Sequence, residues 1–249
     1  MDVIESIARD IRNAEHVIAF TGAGISAESG ISTYRGQGGI WNKYDPNIYA
    51  NIDTFLKDPT YYWNFFRDVR YPMVKNAQSN PGHRALAELE KMGRLQAVIT
   101  QNIDELHQQS GSTRVIELHG TTRKYFCLKC GQRFDFDNVY EMSGKEIPPS
   151  CSECQGMIRP DVIMFGEALK TDVLRAAFEE AEACDFVLAI GSSLVVYPAA
   201  DIPARARRRG AKLAIINKDE TPMDHSANYV LREAAGSVLP AIVDKLNSP

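Results

Sequence analysis

One stretch limits the possible folds more than any other: residues 21–36, TGAGISAESGISTYRG. The residues before it, Val17, Ile18, Ala19 and Phe20, form an apolar run of strand type. Within it, Ser26-Ala27-Glu28-Ser29 has the composition of a helix start. In a strand–turn–helix context Gly22, Gly24 and Ala27 fit G-x-G-x-x-G/A. The first glycine permits a tight turn, the second lets the backbone approach a pyrophosphate, and Ala27 is small enough for helix and strand to pack closely. Backbone N–H groups at the helix start then face an anion. A ligand-free tight turn satisfies the same spacing, so the rest of the chain has to decide. A dehydrogenase of this type needs a second strand ending in an acidic residue about 20 residues on. Here the chain runs Thr33-Tyr34-Arg35-Gly36-Gln37-Gly38-Gly39-Ile40-Trp41, which is expected to be a lid over a bound nucleotide.

The apolar spacing of Val3, Ile4, Ile7 and Ile11 predicts a helix over 2–14, ahead of a strand at 17–20. Residues 42–76 are rich in aromatics and read as a small helical insertion, with Pro59 at a first helical position. Helix 82–92 ends at Gly93 and leads to strand 97–100; strand 115–118 ends at His119-Gly120. A cysteine segment fills 121–158, its centre, 135–149, polar like a module loop. Helix 168–183, strand 186–190, helix 199–209, strand 212–216, a short strand near 229–231 and a helix near 236–246 follow. Strands alternating with helices predict an α/β fold, a parallel sheet covered on both faces. Thr21-Gly22, Gln101-Asn102, Gly191-Ser192-Ser193 and Asn217 each follow a predicted strand end, the edge where open α/β sheets bind ligands. Turns favour such residues anyway, but four strand ends together point at one crevice.

With 249 residues, 44% hydrophobic, the chain can bury a sizeable core, and a net charge of −4 argues against a nucleic-acid binder. The amphipathic N-terminus is unlike a signal peptide, and no apolar run approaches the ~18 residues of a membrane span. A cytoplasmic, reducing setting is expected, where cysteine pairs hold metal rather than disulfides. Cys127-x-x-Cys130 and Cys151-x-x-Cys154 have four-thiolate zinc spacing, a closed structural site, with a redox dithiol pair as the rival. Cys184 reads as core. His16, His107 and His225 sit among polar neighbours as surface decoration, and His83 opens a helix. His119, at the carboxyl edge of the sheet, is either a proton acceptor or a hydrogen-bonded structural histidine. Asn102 and Asp104 offer an amide and a carboxylate to a carboxamide, or simply an Asx turn.

Gly22-Ala23-Gly24-Ile25-Ser26, Tyr34-Arg35-Gly36, Thr100-Gln101-Asn102-Ile103-Asp104, His119-Gly120, the two cysteine pairs, Phe165-Gly166-Glu167 and Gly191-Ser192-Ser193 occur together and in order. Over about residues 15–245 the chain resembles a sirtuin, an NAD-dependent protein-lysine deacylase, of prokaryotic type. The resemblance implies a Rossmann-type NAD-binding domain (residues 1–35, 77–120 and 159–249), a cofactor loop and helical insertion (36–76) and a small zinc-ribbon module (121–158). It implies that NAD is consumed, that His119 is the general base, with Asn102 beside it, and that acylated-lysine proteins are the substrates, chromatin proteins or metabolic enzymes among them. Gly22, Ala23, Gly24, Ala27, Tyr34 and Arg35 would hold the phosphates and ribose. Gln101, Asn102, Ile103 and Asp104 would shape the nicotinamide pocket, and Gly191, Ser192, Ser193, Asn217 and Ala235 the rest of the nucleotide site. Ile163, Phe165 and Val195 would line an acyl-lysine tunnel, with Gly166 and Glu167 clamping the peptide as an added strand.

Two departures from the family stand out. Tyr34 replaces the usual Phe that shields the reaction centre, and Ser32 replaces a Pro, which should loosen the lid. A subgroup that removes acidic acyl groups reads the distal carboxylate with a Tyr and an Arg three residues apart; alignment on Trp63 puts Phe66 and Val69 there, with Arg67 and Arg70 out of register. On a helix a one-residue shift rotates a side chain by about 100°. An apolar end at Phe66 predicts a deacetylase that leaves free lysine, nicotinamide and O-acetyl-ADP-ribose. The alternatives are removal of longer or acidic acyl groups, ADP-ribosyl transfer to protein, and a non-catalytic NAD or ADP-ribose sensor. A monomer is expected.

Overall fold

The computed structural model describes residues 2–36 and 38–248. Its strands are β1 (Val17–Thr21), β2 (Ala97–Thr100), β3 (Val115–Glu117), β4 (Gly120–Cys127), β5 (Arg133–Asp135), β6 (Ile158–Val162), β7 (Phe186–Ile190), β8 (Lys212–Ile216) and β9 (Tyr229–Leu231). Six form one sheet in the order β3-β2-β1-β7-β8-β9, with every neighbouring pair parallel. The chain builds outward from β1 to one side, then returns to β7 and builds to the other. The order therefore reverses between β1 and β7, where such sheets open a crevice beyond their carboxyl ends.

Strand alternation sends Val17 and Ala19 to one face and Ile18 and Phe20 to the other. On the first face they meet helices Val3–Asn13, Pro81–Lys91 and Ala235–Asn247 through Ile7, Ile11, Leu86, Leu89, Leu239 and Ile242. On the second they meet helices Thr171–Ala183 and Asp201–Arg208 through Ala177, Ala181, Ile202 and Ala206. Both faces are covered, which is why β1 and β7 are buried at all five positions. Asn80 starts helix Pro81–Lys91 with a capping box closed by His83.

Two local expectations change. The glycine turn opens not onto a long helix but onto a 3-10 stretch, Ala23–Ser29, stopped by Gly30 in the left-handed region at φ 83°. The segment 135–149, expected as a loop, contains helix Phe136–Lys145. Asp135 caps it by accepting from the N–H of Asn138 at 2.8 Å, and Phe136 and Val139 bury its inner face.

The small sheet is antiparallel, β5-β4-β6. Its module shares a third apolar cluster with the helical insertion: Phe55, Tyr62, Trp63 and Phe66 pack with Tyr125, Phe136 and Val139. The insertion is a chain of short helices, Pro46–Tyr49, Ile52–Lys57, Thr60–Phe65 and Tyr71–Asn76, interrupted by a π-turn at Phe66–Arg70. There the N–H of Tyr71 reaches back five residues to the carbonyl of Phe66. That inserts one extra residue into the helical ladder. Among the described residues no helix is long and apolar enough to cross a membrane.

Candidate active site

The strand ends converge as expected. Gly22 after β1, Gln101 and Asn102 after β2, Gly191, Ser192 and Ser193 after β7, and Asn217 after β8 all line one cavity of about 910 Å³. Ala23, Gly24 and Ala27 supply its floor, Tyr34 and Arg35 its lid side, and Ile103 and Ala235 two further walls. The floor is set by backbone contact: the N–H of Gly24 donates to the carbonyl of Gly191 at 2.8 Å. A Cβ on Gly24 would lie 2.6 Å from the Cα of Gly191.

A buried polar network supports this wall from behind. Asn102 Nδ2 donates to the carbonyl of Gly22 at 3.2 Å and to Ser26 Oγ at 3.1 Å. Ser26 Oγ donates to Asp104 Oδ2 at 2.8 Å, and Leu106 N–H to Asp104 Oδ1 at 3.0 Å. Asp104 is thus a buttress outside the cavity lining, and burial pushes its carboxyl up from the usual range. Gln101 Nε2 donates to Ser192 Oγ at 2.8 Å, joining the ends of β2 and β7. His107, expected on the surface, is buried with Nε2 2.9 Å from Thr21 Oγ1. Desolvation holds it down to about 3, and His83 beside it down to about 4. His16 pairs with Glu180.

His119 lies in the turn between β3 and β4 and faces the cavity. Its Nδ1 is 2.9 Å from the carbonyl of Gln101, an oxygen that can only accept. Nδ1 therefore carries the proton and Nε2 is left as an acceptor. Desolvation lowers its pKa from the ordinary value, against an opposing pull from that carbonyl, so the neutral base is the resting form.

At the other end of the cavity Ile163, Phe165, Gly166 and Glu167 line the wall. This segment is tied to the insertion: Phe165 N–H donates to Ala50 O at 2.8 Å and Ile52 N–H to Phe165 O at 3.0 Å. The Glu167 carboxylate accepts from both Arg159 terminal nitrogens, at 2.8 and 2.9 Å, and from Met164 N–H at 2.8 Å. Its side chain thus closes the turn, leaving backbone as what this segment can offer a peptide. Val195 stands outside the lining, 47% exposed, while Val196 and Tyr197 form that part of the wall.

Phe66, expected at the acyl end, is fully buried among Tyr62, Trp63, Tyr71, Tyr125 and Phe136 and does not reach the cavity. Tyr62 and Arg70 line it instead. The expectation assumed an unbroken α-helix after Trp63. The π-turn supplies the one-residue shift that brings Arg70 inward, while Arg67 stays outside with Asp68 and Asn64. Nothing in residue spacing marks a π-turn, so sequence reasoning left Arg70 out of register; Tyr62, in helix Thr60–Phe65 ahead of the turn, was not singled out.

The Sγ atoms of Cys127, Cys130, Cys151 and Cys154 all lie within 4.8 Å of one another, two pairs at 3.5 and 3.6 Å. Tetrahedral zinc with Zn–S near 2.3 Å needs sulfurs about 3.8 Å apart, so the four thiols fit it. When bound, the metal would tie β4 to the loop before β6 and leave no open coordination position.

The Sir2 family model matches residues 22–198. An NAD-dependent protein deacetylase of Sulfurisphaera tokodaii is 50% identical, over 94% of this chain and 92% of the relative. An NAD-dependent protein deacylase 2 of Archaeoglobus fulgidus is 45% identical, over 98% and 96%. A solved Sir2 structure with deacetylated p53 peptide and 3′-O-acetyl-ADP-ribose superposes with a TM-score of 0.94 at 37% identity, covering 97% of this chain and 98% of the other.

Proposed function

This chain belongs to the Sir2 family and is an NAD-dependent protein-lysine deacylase, and we propose the parts its residues take in that reaction. NAD enters as a substrate and its phosphates lie over Gly22, Ala23 and Gly24; at Gly22 and Gly24 close packing against Gly191 leaves no room for a Cβ. Ser192, Ser193 and Asn217 bind the two riboses from the ends of β7 and β8. Asn102, held by its bonds to Gly22 and Ser26, presents its amide oxygen toward the nicotinamide end.

The acylated lysine of a protein substrate enters past Phe165, with its backbone along Gly166-Glu167 and Val196 as an added strand. Its acyl oxygen attacks the anomeric carbon of the nicotinamide ribose and nicotinamide leaves. His119 Nε2 takes the proton of a ribose hydroxyl, which attacks the acyl carbon. Water completes release of free lysine and the O-acyl-ADP-ribose, O-acetyl-ADP-ribose when the group is acetyl. One observation carries the base assignment: a neutral imidazole, oriented by Gln101, faces the cavity shared by the glycine floor and Phe165. A lysine tunnel is superfluous for ADP-ribosyl transfer, so Phe165 and its tether to the insertion favour deacylation.

The test is mass spectrometry of an acetyl-lysine peptide incubated with the protein, with and without NAD. Deacylation predicts loss of the acetyl mass only with NAD, in step with nicotinamide and O-acetyl-ADP-ribose. NAD cleavage with an unchanged peptide overturns the proposal.

A further inference from the structure

The turn that faces the peptide is held by a side chain from the cysteine module. On β6 strand alternation buries Ile158, Pro160 and Val162 and sends Arg159 to the opposite face. Arg159 pairs with Phe126 of β4, one residue before Cys127, and its guanidinium lies 5.8 Å from the Phe126 ring centre. From there the planar fork reaches the segment that follows β6. Nη1 donates to Glu167 Oε1 at 2.8 Å, and Nη2 donates to Glu167 Oε2 and to the carbonyl of Val162, both at 2.9 Å. The Arg159 side chain is only 12% exposed and that of Glu167 20%, so little water competes for the pair. Burial works to raise the Glu167 carboxyl, but Arg159 and the N–H of Met164 outweigh it and hold it below the ordinary range.

Residues 163–167 belong to no strand ladder, and their shape comes from separate anchors. Ile163 N–H donates to the carbonyl of His119 at 2.9 Å, and both main-chain groups of Phe165 bond to the insertion. Glu167 N–H closes a turn on the carbonyl of Met164 at 3.1 Å, with Gly166 in the left-handed region at φ 90°. The Glu167 carboxylate then takes the N–H of Met164 at 2.8 Å. This last anchor alone hangs on a side chain, and Arg159 orients that side chain. A desolvated ion pair adds little net stability, since apolar residues of like volume often serve as well. What a two-point fork supplies is direction.

We propose that Arg159 is a positioning residue for the peptide substrate: through Glu167 it fixes the turn at 164–167 at the spacing from His119 and from the insertion that a peptide backbone needs. The inference rests on the deacylase assignment and adds to it the residue that sets peptide affinity. Arg159 stands outside the cavity lining, so its effect is carried by the main chain of the turn. The NAD side of the cavity is built on β1, β7 and β8, to which Arg159 makes no bond among the described residues, so its loss acts on the peptide side. The same side chain joins the cysteine module to the peptide, from β4 beside Cys127 through Phe126 and Arg159 to Glu167.

Steady-state kinetics with an acetyl-lysine peptide and NAD, each varied in turn, test this. The proteins are wild type, Arg159→Met, Arg159→Lys and the double variant Arg159→Met/Glu167→Met. Arg159→Met keeps an unbranched apolar stem and removes the fork. It should raise the KM for the peptide about tenfold, the worth of one or two misaligned backbone hydrogen bonds, with kcat and the KM for NAD within about twofold of wild type. Arg159→Lys keeps the charge but not the fork and should fall between. The single Met variant leaves the Glu167 charge unpaired and should lower Tm; the double variant removes that charge and should recover Tm while its peptide KM stays raised. Where the single Met variant is too unstable to assay, the Lys and double variants carry the same comparison. Recovery of Tm and peptide KM together in the double variant would make the pair structural only and overturn the inference. So would an unchanged peptide KM in both Arg159→Met and the double variant, or a KM for NAD that rises in step. Each of those outcomes leaves deacylation standing, because wild type is active in it. A wild type that removes no acetyl group with NAD present overturns the deacylase assignment and this inference with it.

Discussion

His119 donates its Nδ1 proton to the main-chain carbonyl of Gln101 across 2.9 Å, and this bond selects the chemistry of the other ring nitrogen. Gln101 follows β2 and also reaches Ser192 after β7. The base is thus aligned by the same strand ends that form the nucleotide crevice.

The first prediction is a pH profile. Desolvation lowers the His119 pKa from 6.5, so the neutral, proton-accepting ring persists below the pH at which a free imidazole would be half protonated. The acid limb of kcat/KM should therefore fall below pH 6.5, with activity lost as pH drops through that limb. His119→Ala should cut turnover by about 10²–10⁴-fold while NAD still binds. Full turnover by the alanine variant, or an acid limb above 6.5, contradicts the base assignment.

The second prediction concerns the glycine floor. A Cβ at Gly24 would press into main-chain atoms of Gly191, 2.6 Å away at the nearest. Gly191 cannot yield easily, since it has φ 59° and its own Cβ would meet Ile25 N at 2.3 Å. Gly24→Ala should cost about 1–3 kcal/mol by overpacking and weaken NAD binding severalfold or more. The control is Gly93→Ala, in a helix-ending turn with open space around it, which should leave NAD affinity alone. Calorimetric NAD titrations of both variants separate the two cases.

The sheet was legible because its information is local. Five-residue apolar runs such as 186–190 fall where β7 does, and polar residues at four strand ends mark the crevice. The cysteine spacing gave the thiol cluster for the same reason. What escaped depends on packing. Helix Phe136–Lys145 carries Gly144 and several polar residues, and it is held by Tyr71, which stacks on Phe136 and Tyr140 from the insertion. His107 reads as polar surface until β1 places Thr21 against it. Arg70 required a π-turn, a backbone choice set by tertiary contacts on Phe66 rather than by pattern.

The third prediction is metal dependence of the module. The four thiols converge on tetrahedral spacing, and Cys127 and Cys151 are buried in the cluster shared with the insertion. The protein as purified should carry one zinc per chain. A strong chelator should lower Tm and abolish activity together, because binding free energies of about 10 kcal/mol or more for structural zinc are folding free energies. Adding zinc back should restore both. Cys130→Ser should lose the metal and, with it, lower Tm and abolish activity as the chelator does, without rescue by added zinc. Activity that survives complete metal removal would reduce the cluster to a thiol site with no structural duty.

The fourth prediction is a stabilising substitution. Glu117, at the end of β3, has its carboxyl raised to about 6, first by desolvation and then by the charges of Glu105 and Asp104, against opposing pulls from Gln108 and Lys124. A carboxyl whose folded-state pKa lies above the ordinary 4.5 binds its proton more tightly folded than unfolded. Its presence therefore destabilises the fold progressively as pH rises from about 4.5 to 6, after which the penalty is constant. Glu117→Gln removes the charge and keeps the shape. Because the group is partly open to solvent, the gain at pH 7 should be on the order of 1 kcal/mol after screening, less than the bare shift implies. As pH falls below 4.5, where Glu117 becomes protonated in both the folded and the unfolded state, the variant's advantage should disappear. Urea titrations of the two proteins at pH 7 and about one unit below 4.5 measure the difference directly. An equal effect at both pH values would mean that the gain comes from packing or hydrogen bonding and not from the buried charge.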